Sequence, residues 1–186
     1  MPHLQAAFEQ WYGDCQRTLT EISYDNANER TLCVSEEKYL DFDLIAQKYF
    51  RGKNQPSTVD MLAFGSEHVL LVEFKAGKNV KVEKQKLQFK LLASILLYER
   101  VAATIVNLDA KKRVNTKFVY LVVFDPQNCP SSSARTANIQ NHLDKVKVRF
   151  GIDKYKGRFL EEAFTPECGD EFKKLLQRFG VKKFLT

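Results

Sequence analysis

The sequence predicts an α/β protein in which a mixed central sheet is flanked by helices. Two apolar runs, 58–64 and 68–75, are separated by a short turn around Gly65, which indicates an antiparallel hairpin. A segment with helical apolar spacing, 81–101, is followed by the apolar run KFVYLVVF at 117–124. A strand, long helix and strand in succession form a right-handed crossover, so 117–124 is expected to run parallel to 68–75.

The N-terminal region is predicted to be a helix from about 3 to 22. Its apolar residues recur at helical spacing and define one buried stripe: Leu4, Phe8, Trp11, Tyr12, Cys15, Leu19 and Ile22. Residues 36–50 fit two interpretations. Ser35 is a suitable cap for a helix that Gly52 ends, whereas Leu40, Phe42 and Leu44 alternate with acidic residues as in a strand. We expect a helix that gives way to a strand near 45–51.

The remaining elements follow from the same patterns. Both strands of the hairpin are apolar on both faces and are therefore expected at the centre of the sheet. After the turn sequence DPQNCPSSS, two further helices are predicted near 133–146 and 168–180, on either side of an irregular or strand-like stretch around 155–163. A chain of 186 residues without a low-complexity linker is expected to form a single domain, 1–186.

Composition favours a soluble cytoplasmic protein. The four cysteines, Cys15, Cys33, Cys129 and Cys168, show no CxxC pair, so neither a zinc site nor a dense disulfide framework is indicated, and a reducing compartment fits best. The N-terminal sequence lacks the pattern of a signal peptide, and the longest apolar runs are shorter than a membrane span. The sequence also lacks Walker, GxGxxG and GxSxG motifs. Assignment as a P-loop NTPase, a dinucleotide-binding protein or an α/β-hydrolase therefore has no support.

Charge is divided unevenly along the chain. Residues 1–74 contain 6 Lys/Arg and 12 Asp/Glu, net −6, whereas residues 75–186 contain 23 and 11, net +12. Such a basic half can neutralise phosphates, which favours a nucleic-acid partner. The basic residues that follow the second strand are predicted to contact nucleic acid: Lys78, Lys81, Lys84, Lys86 and Lys90. A second basic segment runs from Lys145 to Arg158, and ordinary solvated helix faces are the alternative interpretation of both.

The hairpin is predicted to bring two carboxylates together. Asp60 near the start of one strand lies opposite or diagonal to Glu73 near the end of the next, and Glu73 shares a sheet face with Lys75 while Phe74 points the other way. Carboxylates this close repel each other unless a cation lies between them, and oxygen ligands suit Mg²⁺ or Mn²⁺. A divalent metal site is therefore predicted, with an exposed ion pair between Glu73 and Lys75 as the simpler alternative.

These residues resemble the signature of the PD-(D/E)XK nuclease superfamily. The matching residues are Asp60 in PSTVD, with Pro56 four positions earlier, and Glu73-Phe74-Lys75 in VEFK. The resemblance covers about residues 56–95 and implies a restriction-endonuclease-like fold and Mg²⁺- or Mn²⁺-dependent hydrolysis of DNA phosphodiester bonds. It implies a metal held by the Asp60 and Glu73 carboxylates and the Phe74 carbonyl.

The resemblance also implies further catalytic residues. Lys75 would assist the nucleophile. Family members often carry a Gln or Lys on the following helix that faces the site; Gln85, Lys86 and Gln88 lie there in this chain, and Gln85 is predicted as catalytic. An additional acid from the N-terminal helical region is common in the family, and four residues remain open for that role: Glu9, Glu36, Glu37 and Asp43.

Two other functions remain open. The first is a catalytically inactive protein of the nuclease fold that binds nucleic acid or a protein partner, which a blocked metal site would favour. The second is an RNA-directed or toxin-type nuclease, which the largely apolar setting of the aromatic residues disfavours, because exposed aromatics usually stack on unpaired RNA bases. A homodimer is a further open alternative.

Overall fold

The computed structural model describes residues 2–76, 80–106, 116–125 and 151–181, with the side chains of 80–83 excepted. The secondary-structure elements are, in chain order, α1 (Pro2–Tyr12), β1 (Gln16–Thr18), α2 (Leu19–Ile22), β2 (Tyr24–Asp25), β3 (Arg30–Thr31), β4 (Lys38–Asp41), α3 (Phe42–Tyr49), β5 (Met61–Phe64), β6 (His68–Lys75), α4 (Val80–Val106), β7 (Lys117–Phe124), β8 (Glu162–Phe164) and α5 (Asp170–Arg178). Short 3₁₀ turns cover Gly13–Cys15 and Asp153–Tyr155.

The described strands form a mixed six-stranded sheet in the order β1-β4-β5-β6-β7-β8, with β2 and β3 as a separate pair. Strands β1, β4, β5 and β6 pair antiparallel, and β6, β7 and β8 pair parallel. The predicted hairpin, the parallel crossover through a long helix and the central position of both hairpin strands are therefore confirmed. The α/β class with flanking helices is confirmed as well.

Helices cover both faces of this sheet. Side chains of α1, α3 and α4, such as Phe8, Ile45 and Leu91, share one hydrophobic core with every second residue of β6, including Leu71. The intervening residues of β6 pack on the opposite face against α2 and α5. Side chains two positions apart on a strand lie on the same face of the sheet, so Glu73 lies on the same face as Leu71, which α4 covers.

The predicted N-terminal helix from 3 to 22 is wrong beyond Tyr12. The chain leaves α1 through the Gly13–Cys15 turn, forms β1, and begins a new one-turn helix, α2, at Leu19. A capping box starts α2: the Thr18 hydroxyl accepts from the Glu21 N–H at 3.2 Å, and the Thr18 N–H donates to the Glu21 carboxylate at 2.8 Å. The helical spacing of apolar residues continues across this break because α1 and α2 each bury one face. Trp11, which was expected on the buried stripe, is 57% exposed.

The predicted order of elements in 36–50 is also wrong, since strand β4 precedes helix α3. The alternating residues 38–41 pair with β1 and β5, where Leu40 lies opposite Leu62. Asp41, rather than Ser35, caps the helix, because its carboxylate accepts from the Leu44 N–H at 2.9 Å. A short side-chain acceptor at a helix N-terminus outweighs the continued alternation in Phe42 and Leu44.

The C-terminal part confirms a helix at 168–180, present as α5, and a strand, β8, at the end of the stretch predicted around 155–163. The helix predicted near 133–146 lies outside the described residues. A disulfide joins Cys33 to Cys168 across 135 residues. Disulfide bonds persist mainly in oxidising compartments. The cysteines therefore do not support the expected location in a reducing cytoplasm, and the cytoplasmic location stays a prediction. Among the described helices, none has the length and apolar character needed to cross a bilayer.

Candidate active site

Asp60 and Glu73 lie side by side at one end of the hairpin. Met61 pairs with Val72 across β5 and β6, and Asp60 directly precedes the first of these residues while Glu73 directly follows the second. The Phe74 N–H donates to Asp60 Oδ2 at 2.7 Å, which fixes the Asp60 side chain to the backbone of β6. The Glu73 side chain is 1% exposed. The predicted convergence of the two carboxylates is therefore present in the structure.

Two ammonium groups neutralise this carboxylate pair. Lys90 Nζ from α4 lies 2.9 and 3.0 Å from the two Glu73 carboxylate oxygens and 3.2 Å from Asp60 Oδ1. Lys75 Nζ lies 2.9 Å from Glu73 Oε1. The side chains of both lysines are largely buried, at 19% and 21% exposure. The cation between the two carboxylates in this structure is thus the Lys90 ammonium.

Helix α4 is held against the hairpin by buried contacts next to Lys90. Leu87 and Leu91 are fully buried in the core between α4 and the sheet. Ser94, one helical turn after Lys90, accepts the Val59 N–H through its hydroxyl at 2.9 Å, and both residues are fully buried. Residues four apart share a helix face, so Lys90 and Ser94 point to the same side of α4. Lys90 contacts Asp60, and Ser94 bonds to Val59, the residue directly before it.

Burial and mutual charge perturb the titration of the cluster. Burial, together with the negative charge of Glu73, raises the pKa of Asp60 to about 8. Burial opposes the charged form of Lys90, but the charges of Glu73 and Asp60 outweigh it and raise the pKa of that ammonium above its ordinary value. Tyr120, buried on the neighbouring strand, has its pKa raised by burial and then by the same two carboxylates. Perturbed groups of this kind are typical of functional sites.

A third acid, Asp43, acts on this cluster from α3. Its carboxylate accepts from the Thr58 hydroxyl, two residues before Asp60, and its negative charge contributes to the raised pKa values of Asp60 and Lys90. Of the other acids left open by the sequence, Glu9 accepts from Gln5 within α1 and Glu37 accepts from the Tyr39 hydroxyl. Asp43 is therefore the best placed of the four for the additional acidic role.

The structure brings Lys90 rather than Gln85 to the carboxylates. Gln85 is exposed, and its position five residues earlier is about 140° around the helix from Lys90. The sequence pattern groups Lys90 with the basic surface, because a lysine in a basic run resembles its exposed neighbours. A signal is nevertheless present in the pattern: Lys90 and Ser94 are polar residues set among Leu87, Leu91 and Ile95 on the apolar side of α4.

The other predicted basic residues lie in different settings. Lys84 and Lys86 are exposed on α4, Lys78 lies outside the described residues, and the Lys81 side chain is not described. Lys154 Nζ donates to Gln88 Oε1 at 2.9 Å, and a Cβ placed on Gly151 would meet the Lys84 side chain at 2.5 Å. The start of α4 and the 151–158 segment therefore form one basic surface, although they lie far apart in the sequence.

The donor set of the cluster fits a hard divalent cation with few protein ligands. Mg²⁺ is usually bound by one or two carboxylates and completes its octahedron with water and substrate phosphate. Asp60 and Glu73 already direct three carboxylate oxygens at a common cation, the Lys90 ammonium. Within the described ranges, no group of three His, Cys, Asp or Glu side chains could enclose a metal. If these residues hold Mg²⁺, they can supply only two carboxylates, and water and substrate phosphate would have to supply the other ligands.

Comparisons of the chain with protein-family models, with curated proteins and with solved structures found no match. The resemblance in Asp60 and Glu73-Phe74-Lys75 is therefore not accompanied by a family match. A functional assignment rests on the geometry and chemistry of the site itself.

Proposed function

We propose that the protein is a metal-dependent nuclease that hydrolyses DNA phosphodiester bonds at the Asp60, Glu73 and Lys75 cluster. One observation carries the proposal: the carboxylate just before β5 and the carboxylate on β6 converge on a common cation position with the Lys75 ammonium beside them. A surface ion pair would not need a fully buried glutamate. Several buried charges held in contact perturb one another's titration, and such clusters are concentrated at functional sites.

Each residue has a distinct role in the proposed reaction. The Asp60 and Glu73 carboxylates, with the Phe74 carbonyl, would hold Mg²⁺ or Mn²⁺. When bound, such an ion supplies Lewis acidity to a phosphate oxygen and lowers the pKa of a coordinated water. The Phe74 N–H orients Asp60 through its 2.7 Å hydrogen bond. Lys75 places an ammonium next to Glu73, where it can orient the attacking water or offset charge that develops on the phosphate.

The basic surface supports a nucleic-acid substrate. The exposed residues Lys84 and Lys86 lie on the helix that carries Lys90, and Lys154 joins them through Gln88. A phosphate backbone that follows this surface would run along the same helix that contributes Lys90 to the carboxylates. Clustered Lys and Arg side chains next to an acidic site allow phosphates to be held while one of them is cleaved.

Cleavage assays with a defined metal test the proposal. The purified protein should cut plasmid or oligonucleotide DNA in Mg²⁺ or Mn²⁺ and stop when EDTA is in excess. Lys75→Ala should abolish cleavage and keep most Mn²⁺ binding, because an ammonium is not a metal ligand. Lys48→Ala, which removes an exposed lysine paired with Asp14, is the matched control and should cut normally. Unchanged cleavage in EDTA, or in Lys75→Ala, would refute the proposed mechanism.

One observation favours the second candidate, a nucleic-acid-binding protein without activity. Lys90 and Lys75 together compensate the charge of the two carboxylates, so the cluster has charge balance from protein groups alone. That function predicts salt-dependent DNA binding with no cleavage in either metal, on a substrate panel that includes single-stranded DNA and RNA. Cleavage of RNA alone in this panel would instead identify the RNA-directed nuclease.

A further inference from the structure

Lys90 takes up the position that a metal would need. Its ammonium lies within hydrogen-bonding distance of Asp60 Oδ1 and of both Glu73 carboxylate oxygens. The remaining oxygen of the pair, Asp60 Oδ2, accepts the Phe74 N–H. All four carboxylate oxygens are therefore engaged, three of them by a single monovalent cation that is covalently part of the protein.

We propose that Lys90 is a tethered counter-cation that holds the site closed and that a divalent metal binds only by displacing it. The inference rests on the proposed function, since it takes Asp60 and Glu73 as the metal ligands. An ammonium and a divalent cation repel each other and compete for the same oxygens. The two therefore cannot share the position that Lys90 Nζ occupies.

The surroundings of Lys90 confine this displacement to its side chain. The backbone of α4 is fixed by the buried Leu87 and Leu91 and by the bond between Ser94 and Val59. The Lys90 side chain is 19% exposed and has a flexible four-carbon stem, so it has a path to solvent. Metal can bind only those molecules in which Lys90 has left the carboxylates. Because this fraction is small, the apparent metal affinity is lower than the intrinsic affinity of the two carboxylates.

Lys90→Met tests this directly, because methionine keeps most of the apolar stem and removes the ammonium. Mn²⁺ affinity of the full chain, measured by calorimetry and by the EPR signal of free Mn²⁺ after removal of bound metals, should rise roughly 10- to 100-fold. Lys173→Met, at an exposed position of α5, is the control and should leave Mn²⁺ affinity unchanged. The metal-free Lys90→Met variant should also unfold at lower urea concentration than the wild type.

The outcomes separate this inference from the proposed function. Mn²⁺ binding to wild type that is equal to or tighter than binding to Lys90→Met overturns the role of Lys90 and leaves the metal site in place. Binding only to Lys90→Met supports the role of Lys90, and the wild-type chain then belongs to the binding class. If neither protein binds Mn²⁺, both the inference and the metal-dependent function fail.

A second measurement on wild type covers the case in which Lys90→Met does not fold. Reductive methylation with formaldehyde and cyanoborohydride, read out by mass spectrometry, measures the accessibility of each lysine. Saturating Mn²⁺ should accelerate methylation of Lys90 at least several-fold and leave Lys86 unchanged. Equal Lys90 rates with and without Mn²⁺, at a concentration where EPR shows the site filled, would overturn the inference.

Discussion

Replacing Glu73 with Gln should destabilise the metal-free protein strongly. The Glu73 side chain is 1% exposed, and its carboxylate contacts Lys75 Nζ at 2.9 Å and Lys90 Nζ at 2.9 and 3.0 Å. Removing one partner of a buried ion pair costs about 3–5 kcal/mol. Asp60 stays in contact with Lys90 in this variant and compensates one of the two ammonium groups, so we expect a loss near the lower limit, about 3 kcal/mol.

Urea unfolding in EDTA measures this loss as a change in the free energy of unfolding. Glu162→Gln is the matched control: its carboxylate lies 2.8 Å from Lys156 Nζ, but the two side chains are 32% and 39% exposed, and the cost should be within about 1 kcal/mol. The N–O distances are similar in the two cases, so the difference between the two variants reports the burial of Glu73 together with its second ammonium partner. A Glu73→Gln loss no larger than that of Glu162→Gln would refute the description of Glu73 as a buried, doubly paired carboxylate.

Three further outcomes are expected. Ser94→Ala should lower the free energy of unfolding by about 1–3 kcal/mol, because it leaves the buried Val59 N–H without its acceptor; Thr104→Ala, which removes an exposed hydroxyl on the same helix, should cost much less. Because the pKa of Asp60 is raised to about 8, the native state keeps a proton that the unfolded chain loses near pH 4. The free energy of unfolding should therefore fall as pH rises from about 4 to about 8, and Asp60→Asn should flatten this profile; a rising wild-type profile would contradict the assignment. DNA affinity, measured by fluorescence anisotropy, should fall steeply with salt. Replacing Lys84, Lys86 and Lys154 of the joint basic surface with alanine should make the plot of log affinity against log salt concentration shallower. The slope should change by up to about 0.9 for each phosphate that is no longer neutralised.

The sequence was informative where one pattern dominated. The hairpin, the crossover helix and the strand 117–124 were predicted within a few residues, because each is long and strongly apolar. The pairing of Asp60 with Glu73 followed from hairpin register alone. Predictions failed near Thr18 and Asp41, where one capping side chain changes the type of element within an unbroken apolar pattern.

The composition of the site was harder to predict than its location. Lys90 reaches the carboxylates through the packing of α4 on the sheet, which depends on tertiary contacts rather than on local spacing. From sequence alone, two nearby carboxylates without a partner suggested repulsion and hence a metal. The Lys90 ammonium lies between the two carboxylates and removes most of that repulsion, so an amide at position 73 should destabilise the metal-free protein.

The outermost of the described strands, β1 and β8, bear on the tendency of the chain to aggregate. Strand β7, KFVYLVVF, has the composition of an aggregation-prone segment. It is shielded by β8, which is three residues long, and then by backbone bonds in which Phe124 N–H donates to the Pro166 carbonyl and Cys168 N–H donates to the Phe124 carbonyl. The opposite edge, β1, is equally short and carries Arg17. Short, charged edges offer few free backbone groups to another chain, so partial unfolding that releases the β8 segment is the step expected to expose β7 to aggregation.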